Sequence, residues 1–440
     1  MQEYVTELSK FAIPILMAVH TVCGFLSMFD RLENSRVIHV FQTMLLFSIQ
    51  FLMFVDLALV TRDMQYLFFY VFVQAFLLAA AVMVPVVYDK VNCLLLDNMC
   101  LLIGVGMCVI SRLSFKKAVK QYIIVLVSLA ISLFIPLILS KIRFLKKLTW
   151  VYAGVGIAML SVVLILGEVT HGSKLTFSIR GVSFQPSEFV KILYVFFLAG
   201  ALWENTSFVR VVWTAVIAGV HVVVLVVSKD LGSALIFFAG YVFIVFAATR
   251  NYLYLFAGAL GGMGAGWGAY QLFAHVRDRV IAWQNPWIYI DSKGFAITQS
   301  LFAIGSGSWF GMGLSQGNPR AIPYVEADFI FSSVCEELGV IFGICVILVT
   351  VICFLGMLKV AARIRDRFYQ LIVYGIGIMY IFQIFLTIGG GIKLIPLTGV
   401  TLPFISYGGS SVMTTMIMFF IIQGIYIRLQ EGGRHNVRKG

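Results

Sequence analysis

The chain has 440 residues, of which 61% are apolar and only 12% charged. Soluble domains carry about 45–50% apolar and about 25% charged residues, which excludes a soluble globular enzyme. The formal charge of +12 does not indicate nucleic acid, because no basic run alternates with aromatic residues; it fits cytoplasmic anchoring of a membrane protein and contact with anionic membrane lipids.

A helix needs about 20 apolar residues to cross the hydrocarbon, and thirteen candidate spans are read on that basis in chain order, the one at 189–204 being short. The first three lie near 11–29, 37–60 and 64–88, the next five near 93–111, 119–140, 148–168, 189–204 and 208–227, and the last five near 231–248, 251–272, 337–358, 370–390 and 408–429. Backbone polar groups in lipid must be satisfied internally, so helices are expected. The ten-residue alternation of a membrane β-strand is not visible. The first segment follows Glu3, Glu7 and Lys10, lacks the basic start and cleavage site of a signal peptide, and reads as a retained helix. Tyr88-Asp89-Lys90 breaks the apolar pattern. Residues 1–91 therefore read as an appended module of about three helices, 92–430 as a membrane core with a large polar loop over 273–337, and 431–440 as a cytoplasmic tail. The glycines of 261–266 suit close helix contact. The seven cysteines show no CxxC or Cys/His metal spacing and read as packing residues.

Three basic clusters fall on one side if the chain crosses thirteen times: Lys141, Arg143, Lys146 and Lys147; Lys359, Arg363, Arg365 and Arg367; and Arg428, Arg434, Arg438 and Lys439. That side is cytoplasmic by the excess of Lys and Arg. The amino terminus and the loops 169–188, 273–337 and 391–407 then face outward. Arg112, Lys116, Lys117 and Lys120 run against this rule.

Four outward segments hold the residues able to do chemistry. In the first, Pro186 suits the first turn of a helix and Glu188 its positive start. Lys191 sits one turn inside an apolar span, with Glu188 at i−3 as a partner. In the second, Ser228-Lys229-Asp230-Leu231-Gly232-Ser233, Asp230 is a candidate N-cap. The third contains Arg277, Arg279, Gln299, Ser300 and the glycines 305, 307, 311 and 313, ending in Glu326-Ala327-Asp328-Phe329-Ile330-Phe331 and then Glu336-Glu337-Leu338-Gly339. Arginines bind diphosphate bidentately, and glycine-rich backbone can cradle anions. The fourth, residues 395–411, has two prolines and paired glycines at membrane depth, where broken backbone must be buried in protein or line a cavity. It includes Ser406 and Ser410.

Four strings in this order, Gln185-Pro186-Ser187-Glu188-Phe189, Lys229-Asp230-Leu231-Gly232-Ser233-Ala234, Asp328-Phe329-Ile330-Phe331 with Glu336-Glu337-Leu338-Gly339, and Leu402-Pro403-Phe404-Ile405-Ser406-Tyr407-Gly408-Gly409-Ser410-Ser411, closely resemble the SEDS family, the FtsW/RodA/SpoVE group of bacterial cell-wall proteins. The resemblance runs from about Asn92 to Arg428. It implies an all-α polytopic membrane protein with a ten-helix core, here preceded by about three additional helices. It implies a peptidoglycan glycosyltransferase of the cytoplasmic membrane that polymerises lipid II into β-1,4-linked glycan at the outer face during division, elongation or sporulation. It also implies a class B penicillin-binding protein as partner. The family's essential aspartate falls on Asp328, its loop arginine on Arg279, its Gln-Ser on Gln299 and Ser300, and its helix-opening acids on Glu336 and Glu337. Glu326-Ala327 stands where many members have His-Thr, Ser228-Lys229 where many have Gln-Pro, Thr387 where many have Asn, and Lys393 where many have a small residue.

Chain growth requires a sugar hydroxyl to attack an anomeric carbon as a lipid diphosphate leaves. A base within reach helps the weak nucleophile. Asp328, beside Phe329 and Phe331, is the candidate, with its pKa raised by partial burial. Arg279, with Arg277 or Lys191, would neutralise the leaving group. Glu188, Gln299, Ser300, Glu336, Glu337, Ser406 and Ser410 complete the expected substrate-binding set. Magnesium or manganese could share the diphosphate's charge, although no carboxylate cluster marks a site for it. A lipid II flippase and a noncatalytic scaffold of the cell-wall machinery are the alternatives.

Overall fold

The computed structural model describes residues 2–29, 35–142, 144–170, 173–179 and 182–437. Arg143, Arg438 and Lys439 of the basic clusters lie outside these residues. In chain order the helices are α1 (Gln2–Leu26), α2 (Arg36–Thr61), α3 (Gln65–Val87), α4 (Cys93–Leu113), α5 (Phe115–Leu133), α6 (Ile135–Lys141) and α7 (Thr149–Leu166). A small antiparallel ribbon follows, formed by β1 (Glu168–Thr170), β2 (Ser173–Ile179) and β3 (Val182–Phe184). Then come α8 (Pro186–Leu202), α9 (Phe208–Val227), α10 (Leu231–Thr249), α11 (Tyr252–Leu272), α12 (Ala274–Gln284), α13 (Phe295–Gly307), α14 (Ile330–Arg363), α15 (Arg367–Gly391) and α16 (Gly409–Val437).

Among the described residues, eleven helices are long and apolar enough to cross a membrane. The other two expected spans are helical too. α8 is only 17 residues long, and α11 is rich in glycine, with Gly258 and Gly262 packing on Val242 and Phe238 while Gly261, Gly264, Gly266 and Gly268 meet nothing. Close helix contact therefore accounts for part of that glycine run only. The polar loop from 273 contains two helices of its own, α12 and α13. The class is all-α with one addition, the ribbon after α7; in β2 Leu175, Phe177 and Ile179 alternate with Lys174, Thr176 and Ser178, a strand period that the reading for membrane spans passed over.

The described chain forms two compact units. One comprises residues 1–129, 281–356 and 384–408; the other comprises 130–280, 357–383 and 409–440. No division falls at residue 91, where the sequence suggests a module boundary. α2 packs on α1, α3 and α4, and His39 of α2 bonds Asp97 of α4 at 2.7 Å, which ties the amino-terminal helices into the first unit. At the centre of that unit is α4, with 94% of its apolar window buried, against 33% for α3. The lipid-facing side of α3 explains the difference, since exposed Phe68, Phe72 and Val86 cost little in hydrocarbon. Gly106 of α4 lets the segment 400–406 approach it: an added Cβ would come within 2.5 Å of the Phe404 carbonyl oxygen. Leu402, Phe404 and Ile405 are buried, as broken backbone at membrane depth requires.

In the second unit α8 packs on α7, α9, α10 and α16, and α16 also holds α6 and β3. Gly424 allows the close approach of Pro136, which starts α6. The segment 431–437 continues α16 instead of leaving it as a separate tail.

Candidate active site

Asp328 ends a series of turns just before α14. It is half-buried, while Phe329, Ile330 and Phe331 behind it are buried, so the helix start holds the acid at an apolar boundary. Its N–H donates to the Tyr324 carbonyl at 3.2 Å. The segment 406–407 clamps the same turn. The Ser406 hydroxyl donates to the Ala327 carbonyl at 2.6 Å and accepts from the Leu402 N–H at 2.9 Å. The Tyr407 N–H donates to the Glu326 carbonyl at 2.7 Å. Gln121 of α5 fastens the clamp, donating to the Ser406 carbonyl at 2.9 Å and accepting from the Gly408 N–H at 3.0 Å. Ser406 thus shapes the turn that carries Asp328.

About two turns into α14, Glu337 is 2% exposed and pairs with Arg112 at 3.0 Å. Arg112 also donates to the Gly317 carbonyl at 3.2 Å. Glu336 accepts the Asn318 N–H at 2.8 Å, and its other carboxyl oxygen is buried without a partner. Arg320 closes the arrangement by donating to the carbonyls of Leu113 and Arg112 at the end of α4. Lys117 pairs with Glu326 and lies 5.5 Å from the centre of the Tyr407 ring. Arg112 and Lys117 belong to the basic run that contradicts the orientation rule. They are held by acids of the same unit, so their charge is matched locally.

Gly339 breaks α14, with φ +87° and ψ 164°. The break frees the carbonyls of Glu336 and Glu337, which accept the N–H groups of Met312 and Gly313, and the N–H groups of Val340 and Ile341, which donate to Ser308 and Trp309. An added Cβ at Gly339 would lie 2.4 Å from the Gly311 nitrogen, and one at Gly311 would lie 2.3 Å from the Glu337 oxygen. The glycine-rich stretch therefore pairs with a broken helix; the N–H groups of Met312 and Gly313 are used there and that of Gly311 donates to the Gly307 carbonyl at 2.8 Å, so they do not form an anion cradle. Nearby, Ser300 of α13 is buried, bonding Ser332 and donating to the Gly391 carbonyl at 2.8 Å. Gln299 is half-buried on the same helix.

The second unit contains a separate polar cluster. Lys191 is 1% exposed, and its ammonium lies 2.7 Å from Glu188 Oε2 and 2.7 Å from Gln383 Oε1 of α15. The i−3 partner expected from the sequence is the one observed. Thr414 of α16 donates to Glu188 at 3.0 Å, and Gln383 donates to Ser411 at 3.3 Å. Ser410 accepts the Gln185 N–H at 2.9 Å, which docks the start of α8 on α16. Asp230 caps α10 through the Ser233 N–H at 3.1 Å and accepts Ser187 Oγ at 3.2 Å. Burial pushes the Asp230 carboxyl above its ordinary range, the hydrogen bonds from Ser233 and Ser187 oppose this, and Glu188 adds to it. On α12, Arg277 is exposed and Arg279 half-buried. Burial, then Arg279 and Lys229, hold the His275 imidazole below its usual pKa, marking a cationic neighbourhood.

The sequence reading missed Arg112, Lys117, Gln121, Asn318, Gln383 and Thr414 as parts of these arrangements. The misplaced basic run was a signal for the first two; Gln383 within an apolar span was a signal for the fifth. Among the described residues, no three His, Cys, Asp or Glu side chains gather in a way that would hold a metal ion.

The family model described as a cell cycle protein, FtsW/RodA/SpoVE, matches residues 92–431. The peptidoglycan glycosyltransferase RodA of Mycobacterium leprae is 31% identical over 377 residues, covering 78% of this chain and 79% of its own. The stage V sporulation protein E of Bacillus subtilis is 35% identical over 262 residues, covering 58% and 71%. Among solved structures, a chain from a study of polymerization and crosslinking by a peptidoglycan synthase complex matches with a TM-score of 0.64 at 24% identity, covering 76% of this chain and 97% of that one. The rod shape determining protein RodA of Thermus thermophilus matches with a TM-score of 0.56 at 22% identity, covering 76% and 95%. The structural likenesses concern the fold. This chain belongs to the FtsW/RodA/SpoVE family, and α1–α3 precede the matched region.

Proposed function

We infer from this family membership that the chain is a peptidoglycan glycosyltransferase, a multi-pass membrane enzyme that polymerises lipid II. The observation that carries the mechanism is Asp328, a half-buried carboxylate fixed between the 406–407 clamp and the start of α14. Asp328 accepts the proton of the acceptor sugar's 4-hydroxyl as that oxygen attacks the donor's anomeric carbon. The glycosidic bond to the lipid diphosphate breaks, and the diphosphate leaves with the electron pair. A single displacement inverts the anomeric centre and gives a β-1,4 link. Arg277 and Arg279 are the proposed partners of the diphosphate, a role supported by the cationic surroundings of His275. A magnesium or manganese ion would share that charge; chelation and re-addition of each ion test this part.

The Asp328 end is proposed to face away from the cytoplasm. The clusters at 141–147 and 359–367 support this orientation, and the local matching of Arg112 and Lys117 removes the main objection. A class B penicillin-binding protein is the proposed partner, as a cross-linking enzyme acting on the product. The deciding experiment incubates the purified protein with lipid II. Polymer from the parent and none from Asp328→Ala supports the reading. Movement of lipid II across vesicles, without polymer from either protein, would replace it with a transporter.

A further inference from the structure

α2 packs on α1 and α4, and the three helices carry buried polar residues along the membrane-spanning part of the first unit. His20, Gln42, Gln50, Asp56, Asp97 and Asn98 are each no more than 3% exposed. The two ends of the row are paired: His39 Nδ1 lies 2.7 Å from Asp97 Oδ2, and the Ser9 hydroxyl donates to Asp56 Oδ2 at 3.0 Å. Between these ends, both ring nitrogens of His20, both amide atoms of Gln50 and Asn98, and Nε2 of Gln42 have no hydrogen-bond partner. Small residues make room for the row. Gln50 Nε2 is 2.6 Å from the position of a Cβ on Gly104, and Gln42 Nε2 is 3.7 Å from that of Gly24, one turn beyond His20. Residues 39 to 56 of α2 cover about 26 Å at about 1.5 Å per residue, close to the hydrocarbon thickness of about 30 Å.

Polar side chains that only hold membrane helices together bond to each other across the interface. An unpaired buried donor or acceptor is costly. A file of unpaired groups with an ionisable couple at each end instead has the make-up of a proton relay.

We propose that α1, α2 and α4 form a proton-conducting path across the membrane, with His39–Asp97 at one mouth, Asp56–Ser9 at the other and His20 as the relay between them. A proton taken by one ring nitrogen of His20 is matched by a proton released from the other. The ring stays neutral overall, and a ring turn restores the starting tautomer. Gln42, Gln50 and Asn98 supply bonds for water carrying the proton between these stations. The transmembrane proton gradient drives the flux, so no further reactant is needed.

The test uses the full-length protein in liposomes containing a pH-sensitive dye, without lipid II, under a potential set by potassium and valinomycin. It is therefore independent of glycosyl transfer. The expected result is proton uptake at least about tenfold faster than in protein-free vesicles, returning to the protein-free rate in His20→Leu and in Gln50→Leu. His20→Gln, which keeps a polar group but cannot relay, is also slow. Both leucine variants remove unpaired polar atoms, so melting temperature and polymerisation of lipid II are expected to match the parent. Uptake no faster than in protein-free vesicles overturns the proposal, as does parental flux in His20→Leu or a flux that follows sodium. Unfolding of both leucine variants also overturns it, because it shows the row to be structural.

Discussion

The two units each bury a charge pair, but they build it differently. Glu188 and Lys191 are one turn apart on α8, and Gln383, Ser411 and Thr414 complete a closed network around them. Arg112 and Glu337 come from α4 and α14, and their network draws in Gly317, Asn318 and Arg320 from the loop between α13 and α14. A pair within one helix fixes the packing of neighbouring helices. A pair between distant segments fixes a loop, and here the loop leads to Asp328. The comparison suggests that damage to the first pair costs stability, whereas damage around the second costs activity.

The largest expected effect tests the second half of that statement. Asp328→Asn keeps the shape and removes the base, and should slow polymerisation of lipid II by about 10²–10⁴-fold with little change in melting temperature. An equal loss of stability would erase the contrast. Lys191→Met leaves Glu188 buried and unpaired, at a cost of about 3–5 kcal/mol, read as a lower thermal midpoint in detergent. Glu188→Met combined with Lys191→Met should recover most of that loss, because the unpaired charge is gone. Gly339→Ala forces a side chain into φ +87° against the Gly311 backbone; about 1–3 kcal/mol of strain should accompany a larger fall in polymer rate. Ser406→Ala removes a hydroxyl that both donates and accepts near Asp328, and about 0.5–1.5 kcal/mol is expected, with a small rate decrease in the same lipid II assay.

Much of the fold could be read from apolar runs, because helices are the form that satisfies backbone groups in lipid. The Glu188–Lys191 contact was legible because helical spacing alone puts i and i+3 together. The Asp230 cap was legible for the same local reason, with Ser233 three residues on. The Arg112–Glu337 contact was not, since its partners are 225 positions apart and nothing in either neighbourhood names the other. The break at Gly339 was hidden because residues 330–363 otherwise read as one apolar helix. The loop glycines looked like a ligand cradle because their true partners are carbonyls released by that break. The buried polar residues of α1, α2 and α4 left only scattered Gln, His and Asp residues in apolar runs, and their burial became visible through packing.

The exchange of hydrogen bonds at Gly339 has an evolutionary consequence. Asp328 and the break are joined by a short helical segment, and the break is stitched to residues 308–313. Adding or deleting one residue in that segment would swing the acid by about 100° and move it by about 1.5 Å along the helix, while the stitching stayed in place. Length, more than composition, should therefore be guarded between residues 329 and 338 among descendants of this chain that still make glycan.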